Sequence, residues 1–149
     1  FKIEKDLIEQ LDIPVMHDDQ HGTAIISAAA LLNALELANK KIEDVKIVVS
    51  GAGAAAIACT NLYISFGAKL KNIVMTDSKG VIRNDRDNLT DEKKYFATEK
   101  DIGSLEEAMV DSDVFIGLSM ANIVSKEMLR SMSKNPIVFA MANPYPQNY

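Results

Sequence analysis

The chain has 149 residues, a formal net charge of -5 and 48% hydrophobic residues, proportions that suit one globular domain with a substantial core. The acidic balance gives no support for nucleic-acid or membrane binding, and no apolar stretch reads as long enough to cross a bilayer. A single cysteine, Cys59, excludes an internal disulfide and fits a reducing, cytoplasmic setting.

Residues 1–6 are not a secretory signal and include no initiator Met, so the chain reads as a piece of a longer protein. Residues 1–11 read as a short amphipathic helix with Ile3, Leu7, Ile8 and Leu11 on one face. Residues 13–16 read as a brief strand. A helix is expected over 23–39, apolar on most sides, which implies burial against another domain or subunit. Residues 40–44 form a polar turn, and the β-branched run 45–49 suits a strand buried on both faces.

The alternation continues. Residues 54–66 read as a helix ended by Gly67 in a left-handed cap, 72–76 as a strand and 77–86 as an exposed, turn-rich segment. Helices follow over 90–97 and 104–110, the second opened by a Ser104/Glu107 capping box. Strands are expected over 113–117 and 136–141, with a helix over 125–133 between them. Strands alternating with helices imply a doubly wound, mainly parallel α/β sheet covered on both faces.

Three polar features interrupt this pattern. The first is the run Val15-Met16-His17-Asp18-Asp19-Gln20-His21-Gly22-Thr23-Ala24, where two adjacent carboxylates lie between the only two histidines. Adjacent acids need a cation, a lysine or a proton to compensate them. Either acid also suits the N-cap of the next helix. The His17/His21 spacing is that of two zinc ligands on a helix, but oxygen donors favour Mg²⁺ or Mn²⁺.

The second feature is Gly51-Ala52-Gly53-Ala54-Ala55-Ala56, which directly follows a predicted strand and fits G-x-G-x-x-[GA], a dinucleotide-binding turn. Gly51 permits the tight turn and Gly53 the approach of a pyrophosphate. Ala54 and Ala55 open the helix whose free N–H groups meet the phosphates, and Ala56 allows close packing on the sheet. Asp77, at the end of the next strand, is placed to bond the adenosine ribose, or else simply starts a polar turn. Lys79 and Arg83 lie near enough in sequence to meet a 2′-phosphate, which leaves NAD and NADP open. The third feature is the pair of strand exits at Gly117–Asn122 and Ala140–Pro146. There Ser119 and Asn143 stand at the carboxyl edge of the sheet, suited to a cofactor or substrate, or to plain turns.

Together, Ile13–Ala24, Gly51–Ala55, Asp77-Ser78-Lys79-Gly80, Asp113–Ser119 and Pro136–Pro144 resemble the NAD(P)-binding domain of malic enzymes, particularly the shorter bacterial type. The resemblance covers nearly the whole chain, and the HDDQHGTA run is its specific part. It implies a Rossmann-like fold over 41–149, incomplete at its C-terminal side, with 1–40 as a lead-in carrying the metal-site segment. It also implies that Asp19 ligates a catalytic Mg²⁺ or Mn²⁺, that Asp18 orients a catalytic lysine, and that Asn143 contacts the substrate near the nicotinamide. The implied reaction is oxidative decarboxylation of malate to pyruvate and CO2 with reduction of NAD or NADP, in a full-length homo-oligomer.

The same resemblance places the family's tyrosine and lysine acid/base pair and a Glu-Asp metal pair upstream of this segment. A further asparagine segment is implied downstream, so the chain alone is expected to show no turnover. Departures are Ala56 where the family commonly has Gly, Ser119-Met120-Ala121-Asn122 in place of a Gly/Pro-containing loop, and Gln147 for a typical Glu. Two rival readings are a malolactic enzyme and a non-catalytic nucleotide-binding or assembly module.

Overall fold

Residues 2–142 are described by a computed structural model. In chain order the elements are α1 (Lys2–Gln10), α2 (Asp18–Ala38), β1 (Ile47–Ser50), α3 (Ala54–Ser65), β2 (Ile73–Asp77), β3 (Gly80–Val81), α4 (Asp91–Tyr95), α5 (Leu105–Met109), β4 (Val114–Gly117), α6 (Lys126–Ser131) and β5 (Ile137–Ala140). The five strands form one sheet in the order β3-β2-β1-β4-β5, parallel except for β3, which pairs antiparallel with β2. This is the doubly wound, Rossmann-type architecture that the alternating pattern predicts.

The three central strands are apolar without alternation because both of their faces are covered. Ile47 and Val49 of β1, Ile73 and Met75 of β2, and Val114 and Ile116 of β4 face one core, shared with α2 and α3. Val48, Val74 and Phe115, one residue out of phase, face a second core under α5 and α6. The period of two thus survives in the packing although it is invisible in the hydropathy. Between α2 and α3 the buried Ser27 hydroxyl accepts from Tyr63 Oη at 2.9 Å and lies 3.3 Å from Cys59 Sγ. Burial pushes the Cys59 thiol and the Tyr63 phenol up, so both stay neutral there.

Helix ends follow local chemistry. α2 stops at Asn39, which adopts a left-handed φ of 53°. α3 stops before Gly67 (φ 112°), where Gly67 N–H and Ala68 N–H donate back to Ile64 and Tyr63 carbonyls in a Schellman arrangement. The predicted capping box is present at α5: Ser104 Oγ accepts from Glu107 N–H at 3.1 Å, and the Glu107 carboxylate accepts from Ser104 N–H at 3.2 Å.

Four expectations are corrected. Residues 13–16 are not a strand: Pro14 has no N–H to donate, and the segment pairs with none of the five strands. α2 starts at Asp18 rather than Thr23, with His17 as N-cap, so neither Asp18 nor Asp19 is the cap. Residues 77–86 are not simply exposed, because β3 turns back on β2 and buries Val81 and Ile82. Finally, the early start makes α2 21 residues long, enough by length and composition to cross a membrane. Its Ala24, Ala28, Leu31 and Leu35 instead pack in the core with α3 and the sheet.

The opposite, N-terminal edge of the sheet is held by one carboxylate. Asp113 Oδ1 accepts from Lys40 Nζ and, at 2.7 Å, from Ser133 Oγ, while Oδ2 accepts from Lys46 N–H at 2.8 Å. The group therefore ties the end of α2 to the starts of β1, β4 and β5. Burial acts to raise its pKa, but the Lys40, Lys46 and Ser133 hydrogen bonds outweigh that and hold the carboxyl below its usual range. With a depressed folded pKa, its stabilisation is complete above the unfolded pKa near ~4 and is lost as pH falls. Asp113→Asn, which turns an acceptor into a donor facing N–H groups, should lower unfolding free energy by about 1–3 kcal/mol at pH 7. In thermal melts across pH the deficit should begin to shrink as pH falls below ~4, where the unfolded-state carboxylate takes up a proton, and close only below the depressed folded pKa.

Candidate functional site

β1 has β2 on one side and β4 on the other, so the strand order reverses there and a crevice opens beyond its carboxyl end. Ser50 closes the strand, opposite Thr76 and Gly117, and Gly51 turns the chain with φ 121°. A Cβ at Gly51 would lie 3.3 Å from the Leu118 carbonyl carbon and 3.4 Å from Ser119 N. Both the backbone conformation and the space therefore demand glycine. The contact is fixed by Leu118 N–H donating to Ser50 O at 2.8 Å, Gly51 N–H donating to Thr76 O at 2.9 Å, and a 2.9 Å hydrogen bond between the Ser50 and Ser119 hydroxyls.

Gly53 has a different role. Its φ of -86° suits any residue, but a Cβ there would meet nothing within 4 Å. It is the N-cap of α3 and brings no side-chain cap, and the first helical bond runs from Ile57 N–H to Gly53 O at 3.0 Å. The N–H groups of Ala54 and Ala55 are thus at the unpaired, positive end of a 12-residue helix. Ala56, 2% exposed, lets α3 sit close on the sheet. Gly51, Gly53, Ala54, Ala55 and Ser119 are brought together as an open cradle for an anion.

Asp77 ends β2 on the same edge of the sheet. Its carboxylate is only 11% exposed and already has four donors: Arg86 Nη1 at 3.0 Å and Nη2 at 3.1 Å, Lys93 Nζ at 2.8 Å and Lys79 N–H at 2.9 Å. That fills the acceptor capacity of a carboxylate. Burial opposes ionisation, yet Arg86, Lys93 and the Lys79 N–H prevail and hold the group well below the usual carboxylate range. Neither Arg86 nor Lys93 is apparent as a partner from the sequence, since they come from 9 and 16 residues away. Arg83, by contrast, is committed to Asp85 and Asp101.

The acid pair occupies the first turn of α2, where negative charge is favoured by the helix dipole. Asp18 and Asp19 are exposed. The Asp18 carboxylate lies back over Gly22, where a Cβ would fall 2.0 Å from Oδ1. Gly22, a mid-helix residue costing about 1 kcal/mol relative to alanine, is the sequence signal for that close approach. His21 is engaged by Glu4 at 2.8 Å. Among the described residues no three His, Cys, Asp or Glu side chains cluster as a metal site, and no hydrogen bond joins the acid pair to the glycine turn. Asn143 lies outside the described residues.

Residues 20–148 match the family model for the malic enzyme NAD binding domain. The chain is 50% identical over 147 residues to an NADP-dependent malic enzyme of Halomonas elongata, covering 99% of this chain and 35% of that protein. It is 49% identical over 152 residues to a bifunctional malic/malolactic enzyme of Bacillus subtilis, covering 99% and 37%. A crystal structure of Entamoeba histolytica malic enzyme superposes with a TM-score of 0.88 at 43% identity, over 99% of this chain and 32% of that one. The chain therefore spans about a third of the length of these relatives. A match of this extent, on a fold whose switch-point turn carries the expected glycines, shows that the chain belongs to the malic enzyme family, within its NAD-binding domain.

Proposed function

We propose that this chain forms the dinucleotide-binding part of an enzyme that converts malate to pyruvate and CO2 while passing a hydride from substrate C2 to NAD or NADP. The observation that carries this reading is the cradle of Gly51, Gly53, Ala54 and Ala55 at the switch point, on a chain matching the NAD-binding domain over residues 20–148. In this reading the pyrophosphate takes the free N–H groups of α3. Ser119, linked to Ser50 across the crevice, flanks the cofactor, and Asn143 contacts substrate beside the nicotinamide.

A divalent cation, Mg²⁺ or Mn²⁺, supplies Lewis acidity for the decarboxylation. The donors here fit as part of its shell. Asp18 and Asp19 are exposed carboxylates without hydrogen-bond partners among the described residues, and hard oxygen donors suit these cations. They are too few to hold the ion alone, so Asp19 is assigned as one ligand and Asp18 as the orienter of a lysine, both completed from elsewhere in the protein. The malolactic reading stays as the second, favoured by the 49% identity to the bifunctional Bacillus subtilis enzyme; lactate rather than pyruvate as product would select it.

In the intact protein, Asp19→Ala should abolish metal-dependent malate oxidation and leave the dinucleotide Kd within about twofold, a small change beside the 1.4 kcal/mol of a tenfold step. Retained turnover would remove the metal assignment. Asp77→Ala should free Arg86 and Lys93 toward the ribose 2′ position and shift the KM ratio in favour of NADP by about tenfold, as a charge-assisted contact with phosphate warrants. An unchanged ratio in initial-rate assays with both cofactors would place the ribose elsewhere.

A further inference from the structure

One carboxylate of α1 stands where α2 has no cap of its own. His17, the N-cap residue, makes no side-chain hydrogen bond to the helix it opens, and its own N–H would otherwise point away from the chain. Glu4 supplies the missing acceptor from a different helix. Its Oε1 accepts from His17 N–H at 3.1 Å and pairs with His21 Nε2 at 2.8 Å, and its Oε2 accepts from Gln20 Nε2 at 3.1 Å. The Glu4 side chain is 11% exposed and Gln20 is buried. Burial opposes its ionisation, but the His17 N–H and His21 outweigh that, so the group remains charged.

The spacing of the three partners matters. Positions 17, 20 and 21 are i, i+3 and i+4, so they lie on one face of the helical turn. Asp18 and Asp19 are bracketed by this face and project from the others. Gripping one face fixes the rotation of the turn about its axis, and with it the directions of both carboxylates. The core holds α2 from Ala24 onward, and Glu4 extends that hold to the first turn, where little else does: residues 11–17 have no regular structure, and Ile13 and Met16 are exposed. Among the described residues, these are the side-chain hydrogen bonds that connect α1 to α2 and its N-cap. With three donors already on it, Glu4 is also poorly placed to act as a metal ligand itself.

We infer that Glu4 is a positioning residue, which holds the first turn of α2 so that Asp18 and Asp19 present their carboxylates to the cation and the lysine. This rests on the metal reading of Asp19 given above.

The test is Mn²⁺ titration by electron paramagnetic resonance on the intact protein without malate, so that turnover plays no part, alongside dinucleotide binding and hydrogen exchange over residues 17–22. Glu4→Ala should raise the Mn²⁺ Kd about tenfold, the usual cost of losing a group that orients a ligand, with the dinucleotide Kd unchanged and exchange in the turn faster. Glu4→Gln, isosteric and able to accept through one oxygen only, should fall between wild type and Glu4→Ala and covers the case in which Glu4→Ala does not fold. Asp19→Ala is the reference. If it weakens Mn²⁺ while both Glu4 variants bind as wild type, the positioning role is overturned and the metal reading stands. If Asp19→Ala leaves Mn²⁺ binding unchanged, the metal reading fails and the inference with it. Equal loss of Mn²⁺ and dinucleotide in the Glu4 variants would also overturn it, because a general structural defect moves both.

Discussion

Parallel pairing of β1 with both β2 and β4 forces the chain to leave β1 through a turn pressed against the exit of β4. Everything at the carboxyl edge of the sheet depends on that contact. Gly51 is there because its φ is positive and because the Leu118–Ser119 backbone comes within 3.3–3.4 Å of where a Cβ would stand. The Ser50 and Ser119 hydroxyls then close the floor of the crevice. A larger residue at position 51 would part the two strand ends and tilt α3 away from the place where its free N–H groups converge. Gly53 works by what it leaves open, since an added Cβ would enter the cradle rather than the protein.

Electrostatics divides the domain into settled and unsettled regions. Asp113 on one edge of the sheet and Asp77 on the other each have every acceptor matched by a donor. Glu4 is likewise satisfied. Asp18 and Asp19 differ: they sit exposed on the first turn of α2, favoured only by the helix dipole and awaiting partners that the described residues do not contain. In the proposed reading, this turn is where other parts of the protein complete the site. The exposed Ile25, Ile26 and Leu37 on α2 accord with that.

What the sequence made legible follows from how local each interaction is. β1, β2 and β4 stand out because burial on both faces leaves an unbroken apolar run. The Ser104/Glu107 box stands out because its partners are three residues apart, and the glycine turn because its spacing is itself a motif, although the contacts that fix it come from Thr76, Leu118 and Ser119. The start of α2 was hidden, since its N-cap His17 brings no side-chain cap and is held by Glu4 from 13 residues away. The apolar segment 13–16 reads as a strand by composition, yet it pairs with none of the five strands. Asp77 was placed correctly at its strand end, but its saturation by Arg86 and Lys93 depends on how β3 and α4 fold back beside it.

The most direct measurement is a crystal structure of the intact protein with NAD or NADP bound. The account predicts pyrophosphate oxygens within about 3.2 Å of the Ala54 and Ala55 N–H groups, over Gly53, with the Gly51 turn still against Leu118 and Ser119. A cofactor whose pyrophosphate lies elsewhere, leaving the 51–56 turn untouched, would contradict it.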